Sequence, residues 1–181
     1  LMDFAEEVAF AWISGSIASF ADARAIMPAT ADLAGLARTA FLKDAGLEAL
    51  DPFVIAKPGD AIRQISRVIE WDLFREFQRR ERAVQLVRSI FGDTPSEPGM
   101  KAVIRRIVDA VPEIDAIMLS ASQQRKSRAG YSFEHQIEAL LTAAAVPFGK
   151  QVVMDATKRR PDFVLPSLPH FRRPLSGAER G

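Results

Sequence analysis

Residues 62–91, IRQISRVIEWDLFREFQRRERAVQLVRSIF, decide how the first two thirds of this chain are read. Apolar side chains recur at Ile62, Ile65, Ile69, Leu73, Phe77, Val84, Val87 and Phe91, with arginines and glutamates between them. On a helix of 3.6 residues per turn, that spacing makes one apolar stripe and leaves the charges on the far side. The spacing therefore predicts a long amphipathic helix. The cluster Arg79-Arg80-Glu81-Arg82 falls on its solvated face, ion-paired within the helix, and Trp71 joins the apolar stripe as a core residue.

Toward the N-terminus the same period continues. Val8, Trp12, Ile13, Ile17 and Phe20 predict one helix from Phe4 to about Met27, stopped by Pro28, with Trp12 in the core. Thr30 and Asp32 are candidate caps for a second helix through Leu33, Leu36, Ala37, Phe41 and Leu42, which ends near Gly46 or at Asp51-Pro52. Lys57-Pro58-Gly59-Asp60 reads as a turn. Beyond Phe91, Gly92 to Gly99 form a Pro/Ser/Gly loop, and Lys101 to Val111 an amphipathic helix that Pro112 ends.

Past Ile114 the pattern changes. A short apolar piece leads into a basic loop, Gln123 to Gly130, and then a helix from Tyr131 to Ala145, capped by Ser132 and burying Ile137, Leu140 and Leu141. Lys150 to Met154 is strand-like, Asp155 to Arg160 a polar turn, and Pro161 to Pro166 the second strand of a hairpin.

Bulk properties narrow the function. With 48% hydrophobic residues in 181, the chain can bury one real core. A net charge of +1 announces no polyanion partner for the molecule as a whole, so any nucleic-acid contact must be local. The absence of cysteine excludes disulfides, thiolate metal sites and cysteine nucleophiles, and fits a reducing cytoplasm. Two histidines leave little for a histidine-built zinc centre. No stretch approaches the ~20 apolar residues of a membrane span. The Leu1-Met2 start and the polar Ser176 to Gly181 tail suggest a fragment or an interrupted reading frame.

Metal-dependent phosphodiester hydrolysis needs hard oxygen ligands. Glu134, on a helix, and Asp162, at the start of a strand, could meet if the hairpin packs on that helix. From spacing alone, Glu134 reads more readily as a helix N-terminal acid favoured by the macrodipole and Asp162 as a turn residue. His135 points about 100° away from Glu134 and reads as structural.

Two separated motifs bear on the choice. SASQQRKSRAGYSFE, residues 120–134, and KRRPDFVLP, residues 158–166, resemble the C-terminal catalytic domain of EcoRII-type restriction endonucleases, members of the PD-(D/E)xK nuclease superfamily. The resemblance is specific over about residues 116–171. It implies an α/β chain, mainly α in its first two thirds: a helical region over 1–112, then the start of a restriction-endonuclease-like PD-(D/E)xK core over 113–181. It implies Glu134 and Asp162 as catalytic residues and Mg²⁺ ligands, and Lys126, flanked by Arg125 and Arg128, as phosphate contacts to double-stranded DNA. Two departures accompany it. The family's lysine-bearing strand and its arginine-rich base-reading block do not follow Asp162, where the only basic residues are Arg172, Arg173 and Arg180; and Phe171 stands where a tyrosine is usual. The expectation is a type II site-specific deoxyribonuclease of a restriction-modification system, homodimeric when complete, with little activity of its own as it stands. The alternatives are a non-catalytic DNA-binding or regulatory remnant, and an inert helical protein.

Overall fold

The structure is a computed structural model that describes residues 3–153, 160–167 and 169, apart from the side chains at 121, 122, 125–127 and 129. Among these residues the chain is mainly helical, with one two-stranded antiparallel sheet.

Helix α1 (Phe4–Ile13) starts on a capping box, in which Asp3 and Glu6 each bond the other's backbone N–H. The single helix expected up to Met27 is broken: Gly15 adopts φ 71°, and α2 (Ile17–Arg24) restarts after it. Helix α3 (Thr30–Ala45) ends as expected, at Gly46 in the left-handed region. Its N-cap, however, is Ala29, so Thr30 and Asp32 lie inside the first turn and do not cap it.

The stretch from Lys57 is not a turn. Pro58 takes the first position of α4 (Pro58–Gln64), where its missing N–H leaves nothing unsatisfied. A π-helical turn over Ile65–Ile69 joins α4 to α5 (Glu70–Phe91), so the long predicted helix exists with one widened turn in it. Helix α6 spans Met100–Asp109, and Pro112 opens α7 (Val111–Ala143) rather than closing α6.

Helix α7 is the largest departure from the sequence reading. The basic segment from Gln123 to Gly130 is no loop but lies within this one helix, and Ser132 is no cap but a buried mid-helix residue. The physical reason is propensity. Gln, Arg, Lys and Ala are good helix formers despite their polarity, and a single interior glycine such as Gly130 costs only about 1 kcal/mol.

The core lies in two clusters. Val8, Ala11, Ile17, Ala25 and Val84 join α1 and α2 to α5, with Trp12 packed against them. Ala37, Leu50, Ala61, Ile62 and Ile65 form the second cluster, and Ile137 and Leu140 of α7 pack on it. That second contact fixes the C-terminal half of α7. Trp71 is not a core residue: 40% of it is exposed. Arg82 is buried, contrary to its expected solvated position, and donates to the Ile117 carbonyl of α7. Arg79 and Arg80 do pair with Glu76 on the surface.

After α7 the chain turns back on itself. Strand β1 (Gly149–Lys150) pairs antiparallel with β2 (Phe163–Val164), Gly149 opposite Val164 and Lys150 opposite Phe163. Val164 is buried, and Phe148 meets Phe163 edge-on with ring centroids 5.7 Å apart. Lys150 Nζ reaches Glu138 Oε2 at 2.5 Å, tying the hairpin to α7.

Candidate metal and nucleic-acid site

One residue links the Glu134 side chain to the backbone of Asp162. Gln151, just past β1, donates from Nε2 to Glu134 Oε2 at 3.3 Å, and its backbone N–H donates to the Asp162 carbonyl at 3.0 Å. Arg160 holds Gln151 from the other side, with Nη2 on Oε1 at 2.7 Å and Nε on the backbone carbonyl at 3.1 Å. Glu134 is half-buried on α7, and Asp162 is exposed beside β2.

The plain reading of Glu134 as an N-terminal acid no longer applies. Helix α7 begins at Val111, several turns earlier, and the macrodipole acts only within the first and last turns. Its position is explained instead by the hairpin that folds against it. Among the described residues no group of three His, Cys, Asp or Glu side chains gathers into a metal cluster. His135 Nδ1 lies 3.8 Å from Glu138 Oε2.

The basic segment divides. Arg125 and Lys126 lie on α7, but their side chains fall outside the described residues. Arg128 turns into the bundle: Nη2 donates to the Pro28 carbonyl at 2.6 Å, and the guanidinium lies 5.7 Å from the Phe74 ring centre. Burial pulls its pKa below the usual arginine range, partly opposed by Glu81 and Glu70. The expected Met154, Lys158, Arg159, His170 and Phe171 all lie outside the described residues.

The sequence reading missed a second polar centre, in the seam between α5 and α7. Ser132 Oγ donates to Glu70 Oε2 at 2.6 Å. Gln136, fully buried, donates to the Ala34 carbonyl at 3.0 Å and accepts from Arg38 at 3.3 Å. A cavity of about 390 Å³ opens beside this network, walled by Ser66, Glu70, Trp71, Phe74 and Arg128 among others. A strict apolar stripe on residues 62–91 hides such a centre, because Glu70 reads as one more solvated charge. Its only signal was the row Glu70, Phe74, Gln78, Arg82 at intervals of four, a second face that α7 covers.

Burial holds the Glu70 carboxyl above its ordinary value of 4.5, partly offset by hydrogen bonds from Ser132 and Gln136 and by the charges of His135 and Arg128. The folded state therefore favours the protonated form. Its relative stabilisation is complete below the unfolded pKa and is lost as pH rises through the folded value. Glu70→Gln keeps an acceptor for Ser132 and removes the buried charge. The variant should melt about 2–4 °C above the wild type at pH 7.5, the shift that roughly 1 kcal/mol gives a chain of this size, with the gain shrinking toward pH 4. A gain that grows as pH falls would contradict the assignment.

Comparison with known proteins finds a likeness over the C-terminal part of the chain. The family model described as EcoRII C terminal matches residues 97–180. That stretch, from just before α6 through the hairpin, is similar to the C-terminal domain of EcoRII-type restriction endonucleases, and the match begins earlier than the two motifs alone reached. No curated protein and no solved structure matches the chain. Among the described residues no helix is long and apolar enough to cross a membrane.

Proposed function

We propose that this chain supplies two carboxylates of a type II site-specific deoxyribonuclease of the PD-(D/E)xK class, Glu134 and Asp162, which hold Mg²⁺ against a phosphate of double-stranded DNA. The observation that carries the reading is the Gln151 bridge between the Glu134 carboxylate and the backbone of Asp162, in a segment that the EcoRII C-terminal family model matches. The donor set fits the ion. Mg²⁺ is a hard cation that is usually held by one or two carboxylates, keeping several waters and taking oxygens from the substrate phosphate. When bound, it would polarise the phosphodiester and lower the pKa of an attacking water. Phosphate contacts would fall to Arg125 and Lys126, since Arg128 is engaged inside the bundle. The helix–hairpin unit would be the start of an α/β nuclease core in a cytoplasmic restriction-modification enzyme. That enzyme would act as a homodimer, because cutting both strands of a symmetric site needs two active sites related by a twofold axis. A lysine beside the attacking water is not among the residues assigned to the site, so cleavage by this chain alone should be slow.

The test is a calorimetric titration of the full chain with Mn²⁺, a stand-in for Mg²⁺ that reports the ligands whether or not DNA is cut. One saturable ion per chain is the expected result. An absence of saturable binding up to about 10 mM would overturn the reading; a two-carboxylate site that weak would correspond to less than roughly 3 kcal/mol.

A further inference from the structure

We infer that Gln151 is the positioning residue of the metal site: it fixes which oxygen of Glu134 faces a cation, and Arg160 fixes the orientation of Gln151 itself. The inference rests on the metal reading above and goes beyond it, to residues that are not themselves ligands.

Three observations converge on it. The first is backbone conformation. Gln151 sits at φ 49°, the left-handed region that side chains with a Cβ avoid. A residue kept there without being glycine is held by its surroundings, and such strain collects at functional sites. The second is the hydrogen-bond pattern, in which one residue touches both candidate ligands, through its side chain to Glu134 and through its N–H to the backbone of Asp162. The third is the chemistry of the carboxamide. Its two ends are nearly the same shape but opposite in polarity, so an unrestrained amide could turn either end toward Glu134. Arg160 Nη2 donates to Oε1, and only the N–H end is then left to face the carboxylate.

The consequence is a directed chain, Arg160 to Gln151 to Glu134. A guanidinium, always charged, polarises the amide, and the amide occupies Oε2 of the glutamate without contributing a charge of its own. Oε1 is thereby the oxygen offered to a cation. A direct arginine–glutamate pair at this place would neutralise the ligand; the interposed amide orients it and leaves its charge available. Partners of this kind behind a metal ligand typically account for 10–100-fold in affinity.

The substitution Gln151→Gly separates this role from a purely structural one, because glycine accepts a positive φ without strain and so preserves the turn. The measurement is Mn²⁺ affinity of the full chain by calorimetry, paired with metal-free thermal melting, for wild type, Gln151→Gly, Arg160→Ala and Glu134→Gln. Expected is a loss of about 10–100-fold in affinity for Gln151→Gly and about tenfold for Arg160→Ala, with metal-free melting unchanged within about 2 °C in both. Wild-type affinity in Gln151→Gly overturns the inference and leaves the metal reading standing. A loss of affinity matched by a drop in metal-free melting makes Gln151 structural and also overturns it. Wild-type binding that Glu134→Gln does not weaken removes the metal reading, and the positioning role with it.

Discussion

Glu134→Gln and Asp162→Asn should each abolish measurable Mn²⁺ binding, a loss of more than about 100-fold. That exceeds what removing an outer partner costs, because the ligand itself is altered. Both changes keep the shape of the side chain and remove its negative charge. A hard cation would then face a neutral amide in place of an anionic oxygen, and among the described residues no cluster of three such side chains offers a substitute. The fold should not notice. Asp162 is exposed, and isosteric surface substitutions usually stay within about 0.5 kcal/mol. In Glu134→Gln the carbonyl end of the new amide can still accept from Gln151. Calorimetry and thermal melting on the same samples check both halves. Retained binding in Asp162→Asn would remove the aspartate from the site even if Glu134 stayed, and any DNA cleavage measured in Mg²⁺ should fall in step with the affinity.

How far the sequence carried this is best seen at individual residues. The helical stripe from Ile62 was legible because burial on one side imposes a period that composition alone cannot mimic. Its π turn was not. Ile65, Ile69, Leu73 and Phe77 recur every four residues, a spacing that drifts around an ideal helix, and the widened turn at Ile65–Ile69 takes up part of the drift. Nor was the second buried face legible. Glu70 and Arg82 are buried where α7 lies across them, and partner residues 35 and 62 positions away leave no mark on local periodicity. The basic segment at 123–130 misleads for a related reason: its polarity suggests a loop, although most of its residues have high helix propensity. For the site, the wording of two motifs singled out Glu134 and Asp162, but nothing in their spacing revealed the residue between them. Gln151 announces itself only through a positive φ, and sequence would have reserved that conformation for glycine or asparagine.

Gln136→Leu should destabilise the chain by roughly 2–3 kcal/mol at pH 7.5, lowering its melting temperature by about 5–10 °C. Leucine is close in volume, so packing changes little and the loss is almost purely polar. The Ala34 carbonyl, in a fully buried residue, would lose its donor from α7, and Arg38 would lose its acceptor, though Arg38 can regain water because it is only half-buried. The variant has a further effect on Glu70. Gln136 is one of the hydrogen-bonding groups that partly offset the burial of that carboxyl, so without it the ionised form becomes costlier and the folded pKa moves further up. The destabilisation should therefore be larger at pH 7.5, where Glu70 must ionise inside the fold, than near pH 4, where it can remain protonated. In Gln136→Leu combined with Glu70→Gln, that pH dependence should disappear while the loss at Ala34 remains. Because Gln136 lies two residues from Glu134 on the same helix, the same anchor holds the Glu134 segment of α7 against α3. A melting temperature that falls equally at both pH values in the single variant would show that Gln136 and Glu70 do not communicate, and that Gln136 serves α3 alone.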